Sequence, residues 1–368
     1  MAQGTIVNSL IQGLSQQMVQ ARLDTADARP FHFATLFPVK RVNGFVWRTV
    51  ANQLDNVNVA ADLQTDNGTV LRKRRPIFQT AHGDIPFISI SRDMKRSEIK
   101  DYQTALAYAQ AGGDSADATA LVQYWGNDVD FCFNGVQSEL EFMALSLISN
   151  AGVIHFNTTN NATFANEFDL DYDVDPDMKV KTSADWGDSA KADIIGDIAA
   201  IVKLAKAKSI NPKFAFINLD EWYKVASSEQ IIKACASFAA NALGIQQTPD
   251  LATVNSMLAR QAWLNGIQLR VIDQTITREF ADGTQTSGNP FADSRMVVSE
   301  SERFGNTQYD ILQENDANII RAVRAHTVIK KYGTVEPKTE VTIGQADAVP
   351  VFDTAYRNFY VRTDGKDW

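Results

Sequence analysis

Residues 116–150 read ADATALVQYWGNDVDFCFNGVQSELEFMALSLISN. Within them Val122, Trp125, Val129, Phe133, Val136, Leu140, Met143 and Leu147 return at steps of three or four. Such steps keep side chains on one face of an α-helix, so the spacing predicts a single helix across the stretch. At 1.5 Å per residue it would be about 50 Å long, well above the usual ~12 residues. Asn150-Ala151-Gly152 supplies its stop, and Asp114-Ser115 can cap its start. Just upstream, Ile99, Tyr102, Leu106 and Ala109 mark one face of a shorter helix over 95–111, which Gly112-Gly113 ends.

Further upstream the pattern changes to strands. Phe33-Ala34-Thr35-Leu36-Phe37-Pro38 and Val39-Lys40-Arg41-Val42 precede Asn43-Gly44 and Phe45-Val46-Trp47-Arg48. Asn-Gly between two β-prone runs predicts a tight hairpin turn. Val57, Val59, Ala61 and Leu63 alternate with Asn58 and Asp62, Asp66-Asn67-Gly68 offers a second turn, and Ile85-Pro86-Phe87-Ile88 follows. Residues 45–90 thus read as a long, weakly apolar β-hairpin. About 20 residues per strand at ~3.3 Å each would reach on the order of 60 Å. A two-stranded ribbon is marginal alone in water, so this one needs a surface to lie against. At the N-terminus, Ile6, Leu10, Leu14 and Met18 predict an amphipathic helix over 5–22, followed by a polar linker from Asp24 to Pro30. That helix would dock either on a neighbour or on its own domain.

Downstream of residue 164 the reading is mixed. Phe168, Leu170, Tyr172 and Val174 alternate with Asp169, Asp171, Asp173 and Asp175, a half-exposed strand. An amphipathic helix is expected over 188–207, a buried strand at Phe214–Ile217, and helices near 219–227, 229–241 and 250–264. Strands follow within Ile267–Phe280 and at Met296-Val297-Val298, with a Gly-containing turn from Asp282 to Pro290 between them. The tail from Gly305 is β-prone, through Val349-Pro350-Val351-Phe352 and Phe359-Tyr360-Val361. Neither an internal repeat nor a low-complexity tract is visible.

Composition narrows the function. The 368 residues suggest about two domains. The 45% hydrophobic and 21% charged content is that of an ordinary folded protein able to bury a core without disulfides. The net charge of −9 lacks the basic excess of a chain that wraps nucleic acid, though it suits a wall that encloses DNA without adhering to it. Cys132 and Cys235 lie in apolar segments and read as free, buried thiols of a reducing compartment. No apolar run has the length of a membrane span. The first residues, MAQGTIVNSLIQ, do not read as a signal peptide, so manufacture and use in a cytoplasm are expected.

Chemical motifs are scarce. An EF-hand loop beginning at Asp169 would place Val174 and Val180 where Gly and Glu belong, and one beginning at Asp171 would place Pro176 and Thr182 there. His32, His82, His155 and His326 are scattered, with no pair four residues apart for a zinc helix. Neither a phosphate loop nor a Gly-x-Ser-x-Gly elbow occurs, and Ser97-x-x-Lys100 is too short a match to carry weight. No catalytic, cofactor or metal residues are expected. The run Arg72-Lys73-Arg74-Arg75 is more informative. With Arg48, and against Asp55, Asp62 and Asp66, it gives residues 45–80 a net charge of +2 and leaves −11 for the rest. It reads either as a solvated loop tip or as an arm that docks on the acidic body of the next copy. A nucleic-acid contact lacks the interleaved aromatics such a footprint would have.

The order of parts resembles a known family. A short N-terminal segment, a long basic hairpin, a long helix, an α/β region and a β-rich return look like the major capsid fold of tailed bacteriophages. Phe33-x-x-Leu36-Phe37-Pro38 and its Val-rich continuation resemble the lambda-like major head proteins. So do Gly266-Ile267-Gln268-Leu269-Arg270-Val271-Ile272-Asp273, Asp282-Gly283, Met296-Val297-Val298, Glu336-Pro337 and Val349-Pro350-Val351. The stretch between Ile245 and Trp263 has no evident counterpart. The resemblance implies an α+β capsid fold with an N-arm (1–44), an extended E-loop hairpin (45–92) and a peripheral domain with a spine helix (93–165). An axial α/β domain (166–304) and a return to the peripheral domain (305–368) would complete it. It further implies pentamers and hexamers forming an icosahedral or prolate head around double-stranded DNA, without sequence-specific binding. A portal and a decoration protein would be partners, the host cytoplasm the place of assembly, and the virion capsid the final location. With about 30 residues before Phe33, a separate scaffolding protein is expected. Some relatives cross-link a lysine to an asparagine, but no such pair is identifiable. An encapsulin-like compartment is the first rival, separable by the neighbouring genes. An α/β enzyme with its site in 166–304 is the second, but it lacks a convergent polar set.

Overall fold

The computed structural model describes residues 6–27, 29–52, 78–111, 115–157, 160–161, 169–236, 247–280, 282–314 and 316–368. One helix of 35 residues, Ser115–Ser149, runs through it as the predicted spine. Trp125, Val129, Phe133, Val136, Leu140, Met143 and Leu147 are buried as expected. Val122 is not: it is 41% exposed, and Leu121 faces inward in its place. Toward the C-terminus the helix is enclosed on all sides, with Ala144, Leu145, Ser146, Leu147 and Ile148 all buried. Ala151 and Gly152 then adopt positive φ of 54° and 78°. The Gly152 N–H reaches back to the Leu147 carbonyl at 2.8 Å, closing the helix end.

Two main sheets flank this spine. The seven-stranded sheet has the order Ile6–Val7, Thr327–Thr334, Thr339–Val351, Asn306–Asp310, Val39–Arg41, with Ile320–Arg324 beside Thr327–Thr334 and Phe87–Lys95 beside Thr339–Val351. Its 13-residue strand Thr339–Val351 alternates strictly in burial until Val349, as expected for a sheet lying on a helix. Gly344 sits where strand and helix touch, and a Cβ there would fall 2.6 Å from the Cys132 carbonyl oxygen. The five-stranded sheet has the order Gln268–Ile272, Phe214–Asn218, Arg295–Ser299, Phe359–Arg362, Lys179–Lys181. Helices Ile194–Ala207, Leu219–Ser227, Glu229–Cys235 and Leu251–Arg260 belong to this second unit. The spine is shared by two cores. Its C-terminal half packs with the five-stranded unit. Its N-terminal half packs with the helix Arg96–Gln110, the N-terminal helix, and strands of the larger sheet.

Several expectations need correction. The N-terminal helix spans Gln16–Thr25, not 5–22. Apolar residues spaced strictly by four drift about 40° per step around a helix, so 6, 10, 14 and 18 never formed one stripe. Gly13, at φ 81°, breaks the segment, and the Ser15 side chain caps the new start by accepting from the Met18 N–H. Val19 and Leu23 are buried while Met18 is exposed, and Ile6–Val7 instead forms a strand against Gly333 and Thr334. The helix docks on its own chain. Gln20 both accepts from the Val323 N–H and donates to its carbonyl, at 2.9 and 3.0 Å, and Arg22 pairs with Asp130.

Asn43-Gly44 does not close a hairpin. Val39–Arg41 pairs in parallel with Thr307–Tyr309, and Val46–Asn52 pairs with Phe78–Asp84. Gly44, at φ 97°, turns the chain from the sheet into the arm, its N–H donating to the Asp310 carboxylate at 2.8 Å. The expected turn from Asp282 to Pro290 contains a strand, Gln285–Gly288, paired with Ile276–Glu279. The reversal is confined to the Asp282-Gly283-Thr284 corner, where Asp282 accepts from the Thr284 N–H at 2.9 Å. The 188–207 helix begins only at Ile194, where Asp193 caps it. The Asp-rich strand is short, Asp169–Asp171 against Val153–His155, and two residues beyond it the chain turns at Asp173 with φ 47°. Strands up to Val351 join the larger sheet, but Phe359–Arg362 lies inside the five-stranded one. Phe359, Tyr360 and Val361 of this last strand are covered on both faces. The turn at Asp66-Asn67-Gly68, the strand at Val57–Leu63, Gly112-Gly113, Asp114, Phe168 and the end of the 229–241 helix lie outside the described residues.

His326 shows how tightly the larger sheet meets the spine. Its Nε2 lies 3.1 Å from the Gln137 Oε1, and the Gln137 amide donates to the Thr327 hydroxyl at 2.9 Å. That chain of bonds sets the proton on Nε2 and leaves Nδ1 without a hydrogen-bond partner, beside the rings of Phe33 and Tyr309. Burial pushes the imidazole down from 6.5 to about 4. The folded value lies below the unfolded one, so the contribution of the neutral ring is complete above 6.5. It is lost as pH falls toward 4, because the unfolded chain takes up the proton first. The difference corresponds to about 3 kcal/mol. Denaturant unfolding at pH 7 and pH 4 should show wild type losing about that much more stability than His326→Gln; equal losses would contradict the assignment. Gly344→Ala should lower stability by about 1–3 kcal/mol through the clash with the Cys132 carbonyl, read as a fall in melting temperature.

Candidate functional site

The arm that the sequence predicts leaves the body at the paired strands Val46–Asn52 and Phe78–Asp84. Three side chains fasten this base. Trp47 is buried against the Tyr172 ring, with centroids 5.8 Å apart. Gly83 stands opposite it across the ladder, and a Cβ there would come 2.9 Å from the indole nitrogen, so the glycine makes room for the ring. Thr49 is buried and its hydroxyl bonds to the Asp353 carboxylate. The other Asp353 oxygen accepts from the Asn306 amide at 2.7 Å. Gln308 completes the joint from the neighbouring sheet, accepting from the Arg48 N–H at 3.1 Å and donating to the Arg48 carbonyl at 2.8 Å.

The joint runs into an aromatic cluster. Tyr172 faces Phe352, and Phe352 faces both Phe37 and Phe304, with centroids 5.6–6.0 Å apart. The Tyr172 hydroxyl accepts from the Phe352 N–H at 3.0 Å, and the Tyr356 hydroxyl donates to the Tyr172 carbonyl. Burial pushes the Tyr172 phenol far above its ordinary value, so it remains a neutral donor and acceptor. Phe33 and Phe37 of the family-like motif are thus core residues, and Glu141 of the spine holds their helix by accepting from the His32 and Phe33 N–H groups at 2.9 and 2.6 Å. Around the base, Phe45, Val46 and Phe87 remain 38%, 42% and 58% exposed. An apolar rim there is unusual for a surface that stays in water.

The N-terminal segment is held by a buried charge. Glu340 is fully enclosed and accepts from the Ser9 hydroxyl at 2.5 Å and the Leu10 N–H at 2.7 Å. Lys331, also fully buried, lies 4.0 Å from it and donates to the Thr342 hydroxyl at 2.7 Å. Burial pulls the Lys331 ammonium down, and the Glu340 and Asp128 carboxylates oppose that shift. Removing either partner would leave a charge without compensation in the core.

A polar cluster lies in the second unit. Lys224 Nζ lies 2.9 Å from the buried Glu221 carboxylate and 3.1 Å from the Ser294 hydroxyl. Among the described residues, no group of three or more His, Cys, Asp or Glu is placed to hold a metal ion, and no helix is long and apolar enough to cross a membrane. Cys132 is buried and Cys235 half-buried, both free, and burial pushes the Cys132 thiol up to about 12. The site residues expected from sequence, Arg72, Lys73, Arg74 and Arg75, lie outside the described residues. Sequence reading missed the joint made by Trp47, Thr49, Gln308 and Asp353. Its one local signal is Gly83, a strand glycine whose missing side chain admits the indole.

A family model described as phage major capsid protein E matches residues 52–355. A phage-related protein from Bordetella bronchiseptica RB50 superposes with a TM-score of 0.54 at 10% identity, covering 95% of this chain and 97% of that one. A putative capsid protein of a prophage of E. coli CFT073 gives 0.55 at 12% identity, covering 95% and 99%. At such identities the structural likeness speaks for the fold. No curated protein matches in sequence. With the family matched across most of its length and the spine, the two sheets and the arm base in place, the chain belongs to the phage major capsid protein E family and is a building block of a phage head shell.

Proposed function

We propose that copies of this chain close into pentamers and hexamers, each laying its arm across the next copy. In this reading residues 1–44 are the N-arm, 45–92 the E-loop, 93–165 the peripheral domain with its spine, 166–304 the axial domain, and 305–368 mainly a return to the peripheral domain. Ring closure uses heterologous contacts, one patch of each subunit meeting a different patch of the next. The observation that carries the reading is the arm base. Trp47, Thr49 and Gln308 fix its direction firmly, while the apolar rim of Phe45, Val46 and Phe87 is left uncovered. A neighbour that covers the rim and the ribbon supplies what a two-stranded ribbon lacks alone. Interfaces of the obligate class, about 2,000 Å² or more, fit such a role.

The proposed role is mechanical rather than catalytic. The shell encloses double-stranded DNA by volume, and its net charge of −9 per subunit discourages adhesion of DNA to the wall. Assembly takes place in the host cytoplasm, with a separate scaffolding protein, a portal and a decoration protein as partners.

Electron microscopy of the chain expressed with and without its neighbouring genes tests this. Closed shells of one size are expected with the neighbours, and irregular or few particles without them. Material that stays monomeric in both settings would overturn the proposal, and uniform shells from the chain alone would remove the scaffolding partner. Replacing Arg72, Lys73, Arg74 and Arg75 together by alanine should abolish shells in sedimentation while leaving the melting temperature within about 2 °C, as surface changes usually do.

A further inference from the structure

One tight corner ties the N-terminal helix to the spine. Strands Ile320–Arg324 and Thr327–Thr334 are joined through Ala325 and His326 alone, with Arg324 paired to Thr327. Ala325 takes a φ of 51°, a left-handed conformation unfavourable for alanine, so contacts around the corner have to hold it in place. On one side of the corner, Arg324 donates to the Leu23 and Ala26 carbonyls at 2.9 and 2.8 Å. These carbonyls lie at the C-terminal end of helix Gln16–Thr25, where a cation also meets the negative end of the helix dipole. The guanidinium is backed by the Phe133 ring of the spine, 4.9 Å from its centroid. Gln20 adds its two bonds to the backbone of Val323, the residue before. On the other side of the corner, His326 fastens to the spine through Gln137 at 3.1 Å.

The pocket around His326 is built for a neutral ring. Gln137 faces it from the spine, and the Gln137 amide also holds Thr327 of the same hairpin. The Phe33 ring stands 6.2 Å away and the Tyr309 ring 5.9 Å away, from two further elements. Among the described residues nothing bonds to the buried Nδ1. Glu141, one turn further along the spine, is occupied by the His32 and Phe33 N–H groups. Burial alone moves the imidazole, with no charged group contributing. A proton added at Nδ1 would therefore place an uncompensated charge among rings.

We propose that the corner from Arg324 to Thr327 is an acid-sensitive latch for the N-terminal helix. A proton on His326 drives the corner off the spine, and Arg324, two residues away on the same tight turn, releases Leu23 and Ala26. The helix Gln16–Thr25 is then freed while the two main sheets stay paired. At neutral pH the ring is unprotonated and the latch is closed. The device belongs to the single subunit and does not rest on the shell reading.

Hydrogen exchange of the full-length, unassembled chain, corrected for the intrinsic pH dependence of amide exchange, tests it. The imidazole is near 4 in the closed corner and 6.5 when released, so local opening should gain about 20-fold between pH 7 and pH 5. Protection of the amides of residues 19–25 should fall by about that factor in wild type, and by less than about threefold in His326→Gln. Arg324→Ala, which cuts the link from corner to helix, should leave these amides weakly protected at both pH values. Acid also acts on Glu141 and on Asp130, which pairs with Arg22 of the helix. An equal fall in His326→Gln would place the switch on those carboxylates and overturn the proposal. So would a fall confined to residues 320–334 with the helix still protected, or an equal loss through the buried C-terminal half of the spine. Wild-type protection of the helix in Arg324→Ala would overturn the coupling even if His326→Gln failed to fold.

Discussion

Helix and strand meet in this protein with no side chain between them. At Gly344 the backbone of Thr339–Val351 lies against the spine carbonyl of Cys132. Such close approach seats the 13-residue strand on the 35-residue helix, and the rest of the larger sheet is then built outward on both edges of that strand. It also removes water from the charges between them. Lys331 and Glu340 are wholly enclosed, so each has to be satisfied from within: by Thr342, by each other, and by the Ser9 hydroxyl and Leu10 N–H of the N-terminal segment. The N-terminus is thereby tied to the core through a carboxylate that cannot return to solvent without moving the sheet.

The same spine serves two cores, and the arm is rooted near their meeting point. Trp47 touches Tyr172, Tyr172 touches Phe352, and Phe352 touches Phe37 and Phe304. A force on the arm therefore reaches the centre of the subunit through close-packed rings, which transmit strain because interiors have little free volume. The axial hairpin is tied to the spine similarly, by Arg278 on Glu139 at 2.8 Å and over the Phe142 ring at 4.2 Å.

What the sequence revealed depended on periodicity. The spine stood out because its stripe returns from Val122 to Leu147 within a helix of 35 residues, and the slip at Val122, where Leu121 faces inward instead, lies at the start of that stripe. Four strands of the five-stranded sheet were readable from short runs such as Phe214–Ile217, but the edge strand Lys179–Lys181 was not. Register and partner choice were not. Val39–Arg41 and Val46–Asn52 look like one hairpin across Asn43-Gly44, yet their partners lie far along the chain, at Thr307–Tyr309 and Phe78–Asp84. The N-terminal helix was misplaced because four apolar residues at a spacing of four imitate a stripe. The basic run Arg72–Arg75 was legible as charge, and it lies outside the described residues.

The central claim is that the arm leaves its own subunit. Cryo-electron microscopy of assembled particles, at a resolution that traces the chain, tests it most directly. The account predicts that residues 53–77 of each copy lie on the neighbouring copy. An arm folded back along its own body would contradict it.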